Sequence, residues 1–281
     1  MNIVVASGKG GTGKTMVAAN MAYAMSRLQD VSLVDCDVEE PNLHLYFPGS
    51  MSSVPVDTLI PSIDLKICDY CGKCGEFCNY GALTVLKNTV MFFREMCHSC
   101  GGCRIACPKN AISEVNYAIG SVEIRKPSSR LTIYSGVMNP GEVLAPNIIR
   151  RAKELGKSGL MICDAAPGIS CPVIETCSDA DFVLLVTEPT PFGLSDLKQM
   201  VGLIRLLNLP AGVVINRSFG NDEIIQEFCQ KEQLPIFMTI PFSREFAAVQ
   251  NAGSLVSRED QDWEEKFLGL YRRIVLEAEA R

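Results

Sequence analysis

The chain has 281 residues, is 47% hydrophobic and carries a formal charge of -6, enough apolar material for one large core or one core plus a small module. A pI near 5.1 argues against broad non-specific nucleic-acid binding. No apolar run approaches the ~20 residues of a membrane span, and the first residues lead straight into a strand pattern, leaving no room for a signal peptide. A cytoplasmic protein is therefore expected, and no nucleic-acid or membrane partner. Thirteen cysteines without a secretory leader call for metal rather than disulfides.

The first apolar run, Asn2 to Ala6, ends at Ser7 to Thr15, SGKGGTGKT. This fits the phosphate-loop pattern G-x-x-x-x-G-K-[ST], with Gly8, Gly13, Lys14 and Thr15 in the fixed places and Lys9, Gly10, Gly11 and Thr12 between them. Glycines let successive backbone N–H groups face phosphate oxygens, Lys14 can reach the β/γ oxygens, and the Thr15 hydroxyl can ligate magnesium. An amphipathic helix is expected from Lys14 to about Leu28, its N-terminal partial charge adding to anion binding. Val31 to Asp37 then reads as a buried parallel strand ending in two carboxylates, Asp35 and Asp37, and ligands of open α/β sheets gather at such ends.

From Asn42 to about Ser62, prolines and serines read as a linker. At Asp64 the character changes to a cysteine module that runs to about Val115. Cys68, Cys71, Cys74 and Cys78 form C-x2-C-x2-C-x3-C, and Cys97, Cys100, Cys103 and Cys107 repeat it. This is the bacterial ferredoxin run, in which the fourth cysteine ligates the other cluster. One [4Fe-4S] cluster is thus expected on Cys68, Cys71, Cys74 and Cys107, and a second on Cys97, Cys100, Cys103 and Cys78. Asn79 stands where such runs usually have proline, which is not a ligand. Zinc also accepts C-x2-C pairs; two four-cysteine runs favour clusters.

Beyond the module, strand and helix patterns alternate. Val122 to Arg125, Leu131 to Ser135, Leu160 to Ala165, Asp181 to Thr187, Ala211 to Asn216 and Leu234 to Ile240 read as strands. Gly141 to Leu155, Leu194 to Leu207 and Asp222 to Lys231 read as helices. The fold expected is α/β, a P-loop parallel sheet covered by helices on both faces, with a small inserted α+β ferredoxin-like domain. Its boundaries are residues 1–62 and 117–281 for the nucleotide domain and 63–116 for the insert. Asp164, closing an apolar strand and followed by Ala165-Ala166-Pro167-Gly168, is placed to hold magnesium through water, with Gly168 free to move when a γ-phosphate is lost.

A second lysine in the loop, Lys9 in GKGGTGKT, resembles the deviant Walker A ATPases of the MinD/ParA superfamily, which includes Mrp-type iron-sulfur carriers and the nitrogenase iron protein. Asp35 to Asn42 resembles its switch I, and Asn216-Arg217 its adenine-contacting element. The resemblance implies a magnesium-dependent ATPase working as a nucleotide-sandwich dimer with itself or a related chain. Lys9 would reach the partner's phosphates, Asp37 would orient the attacking water, and Asp35, with Thr15 and Asp164, would hold magnesium; an exposed acid at a strand end is the other reading of Asp35. An unidentified redox partner is implied by the insert. Three functions stay open: nucleotide-coupled electron transfer, a positioning ATPase with structural or redox-sensing clusters, and a cluster carrier.

Cys171 follows Asp164 at the offset of a cluster-bridging cysteine in the nitrogenase iron protein, but the second bridging ligand has no counterpart. Cys36, Cys163 and Cys229 read as small core residues, and His44 and His98 as surface or local ones. MinD proteins end in a membrane-binding amphipathic helix. Here Asp260 to about Ala278 puts Trp263, Phe267, Leu270, Tyr271 and Ile274 on one face and mixed charges opposite, which favours a packed helix over a membrane one.

Overall fold

In the computed structural model, which describes residues 1–279, the expected α/β architecture is present; residues 280 and 281 of the expected nucleotide domain lie outside the described residues. The elements are β1 (Asn2–Ala6), α1 (Lys14–Ser26), β2 (Val31–Asp35), β3 (Met51–Ile63), α2 (Lys73–Phe77), β4 (Leu83–Leu86), β5 (Thr89–Phe92), α3 (Gly102–Ala106), β6 (Ile112–Ser128) and β7 (Leu131–Met138). There follow α4 (Ala145–Gly156), β8 (Leu160–Asp164), α5 (Cys171–Cys177), β9 (Phe182–Thr187), α6 (Pro191–Leu206), β10 (Ala211–Ser218), α7 (Glu223–Glu232), β11 (Ile236–Pro241), α8 (Arg244–Asn251), α9 (Val256–Glu259) and α10 (Gln261–Glu279).

The main sheet has nine strands in the order β11-β10-β9-β1-β8-β2-β7-β6-β3. Strands from β11 to β7 pair in parallel, while β6 and β3 close the edge antiparallel. Both faces are covered, so the central strands are apolar throughout rather than alternating. Ile3 and Val5 pack on one side with Val17, Met21, Phe267 and Ile274, while Val4 and Ala6 pack on the other with Ile148, Val173, Leu197 and Ile225. The terminal helix α10 packs as its pattern predicts, with Trp263, Phe267, Leu270 and Ile274 buried. No described helix is long and apolar enough to cross a membrane.

The expected linker is corrected by the structure. From Met51 on it is the thirteen-residue strand β3, paired with β6 from Met51↔Arg125 to Ile63↔Ile112. Pro55 and Pro61 are compatible with a strand because β3 is the sheet edge, where a missing N–H forfeits no ladder bond. The cysteine-rich residues are thus borne on an antiparallel ribbon continuous with the sheet. They enclose a small core of their own, Cys74, Leu83 and Ile112, beside the β4-β5 hairpin.

The module repeats in backbone conformation as well as in sequence. Tyr70 and Ser99, Gly72 and Gly101, and Gly81 and Asn110 occupy corresponding places, and all six have positive φ. Gly72 and Gly101 open the short helices α2 and α3. Tyr70, Ser99 and Asn110 lack glycine's freedom there, so the local hydrogen bonding must hold them.

Candidate functional site

The phosphate loop leaves β1 and enters α1 at the carboxyl end of the parallel sheet. Gly11 and Gly13 are left-handed, at φ 78° and 95°. A Cβ on Gly13 would stand 2.2 Å from Asn216 Nδ2, and one on Gly8 2.6 Å from the Asp196 carbonyl oxygen. Gly8 and Gly13 therefore allow close approach, and Gly13 also supplies the left-handed backbone. Ser7 Oγ donates to the Lys9 carbonyl at 2.7 Å. Gly10 has open space around it, whereas Thr12 and Lys14 are buried.

Asp164 meets this loop because β8 neighbours β1, with Asp164 opposite Val5, and on the far side of β8 Asp35 of β2 stands opposite Asp164. Asp164 is pushed up to about 6 by burial and by the Asp37 charge, against the pull of Lys14 and a hydrogen bond from Thr15. Burial also raises Asp37, again against Lys14. Among the described residues, Thr12 Oγ1 and Asp164 Oδ1 are buried without a hydrogen-bond partner. Orphaned oxygens beside a buried ammonium and a hydroxyl are a donor set suited to a phosphate and a magnesium ion.

Two of the expected site residues also make contacts within the chain. Asp35 Oδ1 accepts from the Asp37 N–H (3.2 Å), and Oδ2 from Asn42 (2.9 Å) and Leu43 (3.1 Å). Its carboxylate thus fixes the segment that carries Asp37, while burial and the Asp164 charge raise its pKa. Asn216, expected at the adenine, donates from Nδ2 to the Thr12 carbonyl at 2.7 Å and accepts the Arg217 N–H at 2.9 Å. It braces the phosphate loop against β10.

Glu188 escaped sequence reasoning. Its Oε2 lies 3.3 Å from Lys9 Nζ and its Oε1 2.6 Å from Arg217. The available signal was a carboxylate directly after an apolar strand, the same one that marks Asp164.

The eight module cysteines divide between two cavities. Cys68, Cys71, Cys74 and Cys107 line one; Cys78, Cys97, Cys100 and Cys103 line the other. All eight are free thiols. Backbone N–H groups point at three sulfurs: Tyr70 to Cys68 (3.4 Å), Ser99 to Cys97 (3.4 Å) and Ala111 to Cys107 (3.3 Å). Such bonds favour thiolate over thiol. Burial acts oppositely, raising Cys74 and pushing Cys103 to about 11, and coordination to iron would override it. Among the described residues, no group of three or more His, Cys, Asp or Glu side chains could hold a metal ion. Four thiolates on an iron-sulfur cube stand farther apart than ligands of one ion.

Cys171 is exposed at the start of α5, whereas Cys36, Cys163, Cys177 and Cys229 are buried. His98 stacks on Tyr80, ring centroids 3.7 Å apart, above the second cysteine cavity.

Strand, glycine loop, helix N-terminus and carboxylates at neighbouring strand ends define a P-loop nucleotide-binding protein. The chain belongs to the family of the CobQ/CobB/MinD/ParA nucleotide binding domain, whose CbiA model matches residues 3–256; it is a MinD/ParA-like ATPase by family. An uncharacterised Methanocaldococcus jannaschii protein is 34% identical over 224 residues, covering 77% of this chain and 80% of its own. The iron-sulfur cluster carrier protein of Aquifex aeolicus is 24% identical over 288 residues, 95% of this chain and 65% of its own. Among solved structures, the MinD cell division protein of Aquifex aeolicus aligns with TM-score 0.57 and 16% identity over 98% of this chain and 96% of its own. MinD of Pyrococcus horikoshii, solved with Mg-ADP, aligns with TM-score 0.56 and 18% identity over 96% and 93%.

Proposed function

We propose that this protein binds and hydrolyses magnesium ATP as a nucleotide-sandwich dimer, and that its nucleotide state governs electron transfer through two [4Fe-4S] clusters in the residue 63–116 module. The observation that carries the reading is the division of the cysteines. The fourth cysteine of each run joins the cavity of the other run, the crossed arrangement of two-cluster ferredoxins. Cys68, Cys71, Cys74 and Cys107 would hold one cluster, Cys97, Cys100, Cys103 and Cys78 the other, and these groups supply one-electron chemistry when bound.

In the nucleotide domain, residues 1–62 and 117–281, the N–H groups from Gly8 to Thr15 bind phosphate oxygens. Lys14 neutralises charge at the β/γ position, and Thr15 with Asp164 would hold magnesium. Asp37 orients the attacking water, and Asp35 keeps Asp37 in place through its three backbone bonds. Lys9 acts on the phosphates of the second subunit. The segment 37–43 precedes β3, the ribbon strand that bears the module, so a change in that segment on hydrolysis has a continuous covalent route, through β3, to the cysteines.

A cluster-carrier role is the second reading, favoured by the named carrier among the relatives. Two cavities with four cysteines each fit resident clusters better than cargo shared between subunits. Iron and acid-labile sulfide on anaerobically purified protein test the first step. About eight of each per chain are expected; stoichiometric zinc, or none of the three, would reject it.

A further inference from the structure

A cavity of about 500 Å³ opens at the end of the sheet opposite the phosphate loop, where α1 finishes and β7 begins. Its wall includes Arg27, Arg130 and Arg258, and among the described residues no carboxylate lines it. Three arginines line one cavity in a chain whose formal charge is -6. Something other than average surface composition is therefore concentrated here.

Each guanidinium is held but left with spare donors. Arg130 donates to the Arg27 carbonyl at 3.1 Å, capping the end of α1. Arg258 lies over the Tyr23 and Phe47 rings, 5.1 and 5.8 Å from their centroids, and donates to the Tyr46 carbonyl at 3.5 Å. Arg27 pairs with Glu264 at 3.8 Å. A guanidinium has five N–H donors in a fixed fork that matches phosphate oxygens, so these contacts use a minority of them. Ser128 and Ser129 in the turn between β6 and β7 add hydroxyls to the lining, while Phe47 and Leu131 give it an apolar part.

We propose that this cavity is a second anion site, for a small phosphorylated ligand with at least two negative charges and an apolar body. Its size falls in the ordinary range for small-ligand sites, ~300–1,000 Å³. Apolar lining with a few convergent charged groups is the composition such sites need. The phosphate can belong to a free organic phosphate or to a lipid headgroup.

The test is calorimetric titration of pyrophosphate into the full chain with its phosphate loop already saturated by Mg-ADP, beside co-sedimentation with phosphatidic acid vesicles. Saturable binding tighter than about 1 mM is expected, weakened about tenfold by Arg130→Gln and likewise by Arg27→Gln, as loss of one charge-assisted bond requires. Retained Mg-ADP binding shows that a variant is folded; should Arg130→Gln fail that check, Arg27→Gln, at a side chain 62% exposed, decides. Arginine-dependent vesicle binding without pyrophosphate binding assigns the site to a headgroup. Absence of both, or affinities unchanged in the variants, overturns it.

Discussion

Lys9 and Glu188 form an ion pair beside the phosphate loop, Nζ to Oε2 3.3 Å, and the other oxygen of the same carboxylate holds Arg217 at 2.6 Å. Lys9 is therefore occupied within its own subunit. Reaching a partner's phosphates would mean breaking this pair, which at a half-exposed lysine is worth about 0.2–1 kcal/mol. Glu188→Gln is accordingly expected to strengthen ATP-dependent self-association roughly two- to fivefold. Sedimentation velocity across protein concentration checks it, and an unchanged association constant refutes the cis hold on Lys9.

Lys9→Ala removes the charge proposed to act in trans while leaving Lys14, Thr15 and the loop glycines intact. Nucleotide affinity is expected to stay within about threefold, whereas turnover falls by the ~10³ to 10⁵ associated with a finger residue. Fluorescent-nucleotide binding and phosphate release separate the two. Parent-rate hydrolysis in the variant would sink the shared-site mechanism.

Asp164 carries a pH dependence of definite sign. Its pKa is raised in the fold, from 3.8 to about 6, so the fold favours the neutral form and its stabilisation is lost as pH rises through about 6. Asp164→Asn is expected to stabilise the nucleotide-free protein at pH 8 by on the order of 2 kcal/mol, raising its melting temperature there, with little gain at pH 4. It should also abolish magnesium-dependent hydrolysis. Thermal melts of both proteins at the two pH values check this; an equal or smaller gain at pH 8 contradicts the buried-carboxylate assignment.

The crossed cysteine sets make a prediction that a linear reading does not. Cys107→Ser should remove the iron held with Cys68, Cys71 and Cys74, and Cys78→Ser the iron held with Cys97, Cys100 and Cys103, each leaving about four iron atoms of eight. Double variants separate the pairings. Cys107→Ser with Cys68→Ser should still hold about four iron atoms, whereas Cys107→Ser with Cys97→Ser should hold almost none. The reverse pattern would mean that each run binds its own cluster.

What was legible in the sequence was whatever depends on fixed spacing. The loop from Gly8 to Thr15, the acid ending β8 and the two cysteine runs were each readable because their chemistry needs those residues at those offsets. β3 was misread because Pro55 and Pro61 ordinarily end strands, and an edge position is a property of the assembled sheet. Asp35 and Asn216 were found as site residues, but their roles depend on which backbone groups fold back onto them, the Asn42 and Leu43 N–H groups for one and the Thr12 carbonyl for the other. Glu188 gained its meaning only when β9 brought it to Lys9 and Arg217.

If nucleotide state governs the iron-sulfur module, the module must behave differently in the different nucleotide states. The most direct measurement is the reduction potential and electron-exit rate of the anaerobically purified protein without nucleotide, with Mg-ADP and with Mg-ATP. A shift in potential or rate between the ADP and ATP states, lost in Lys14→Ala, is the predicted result. Identical potentials and rates in all three states would contradict the account.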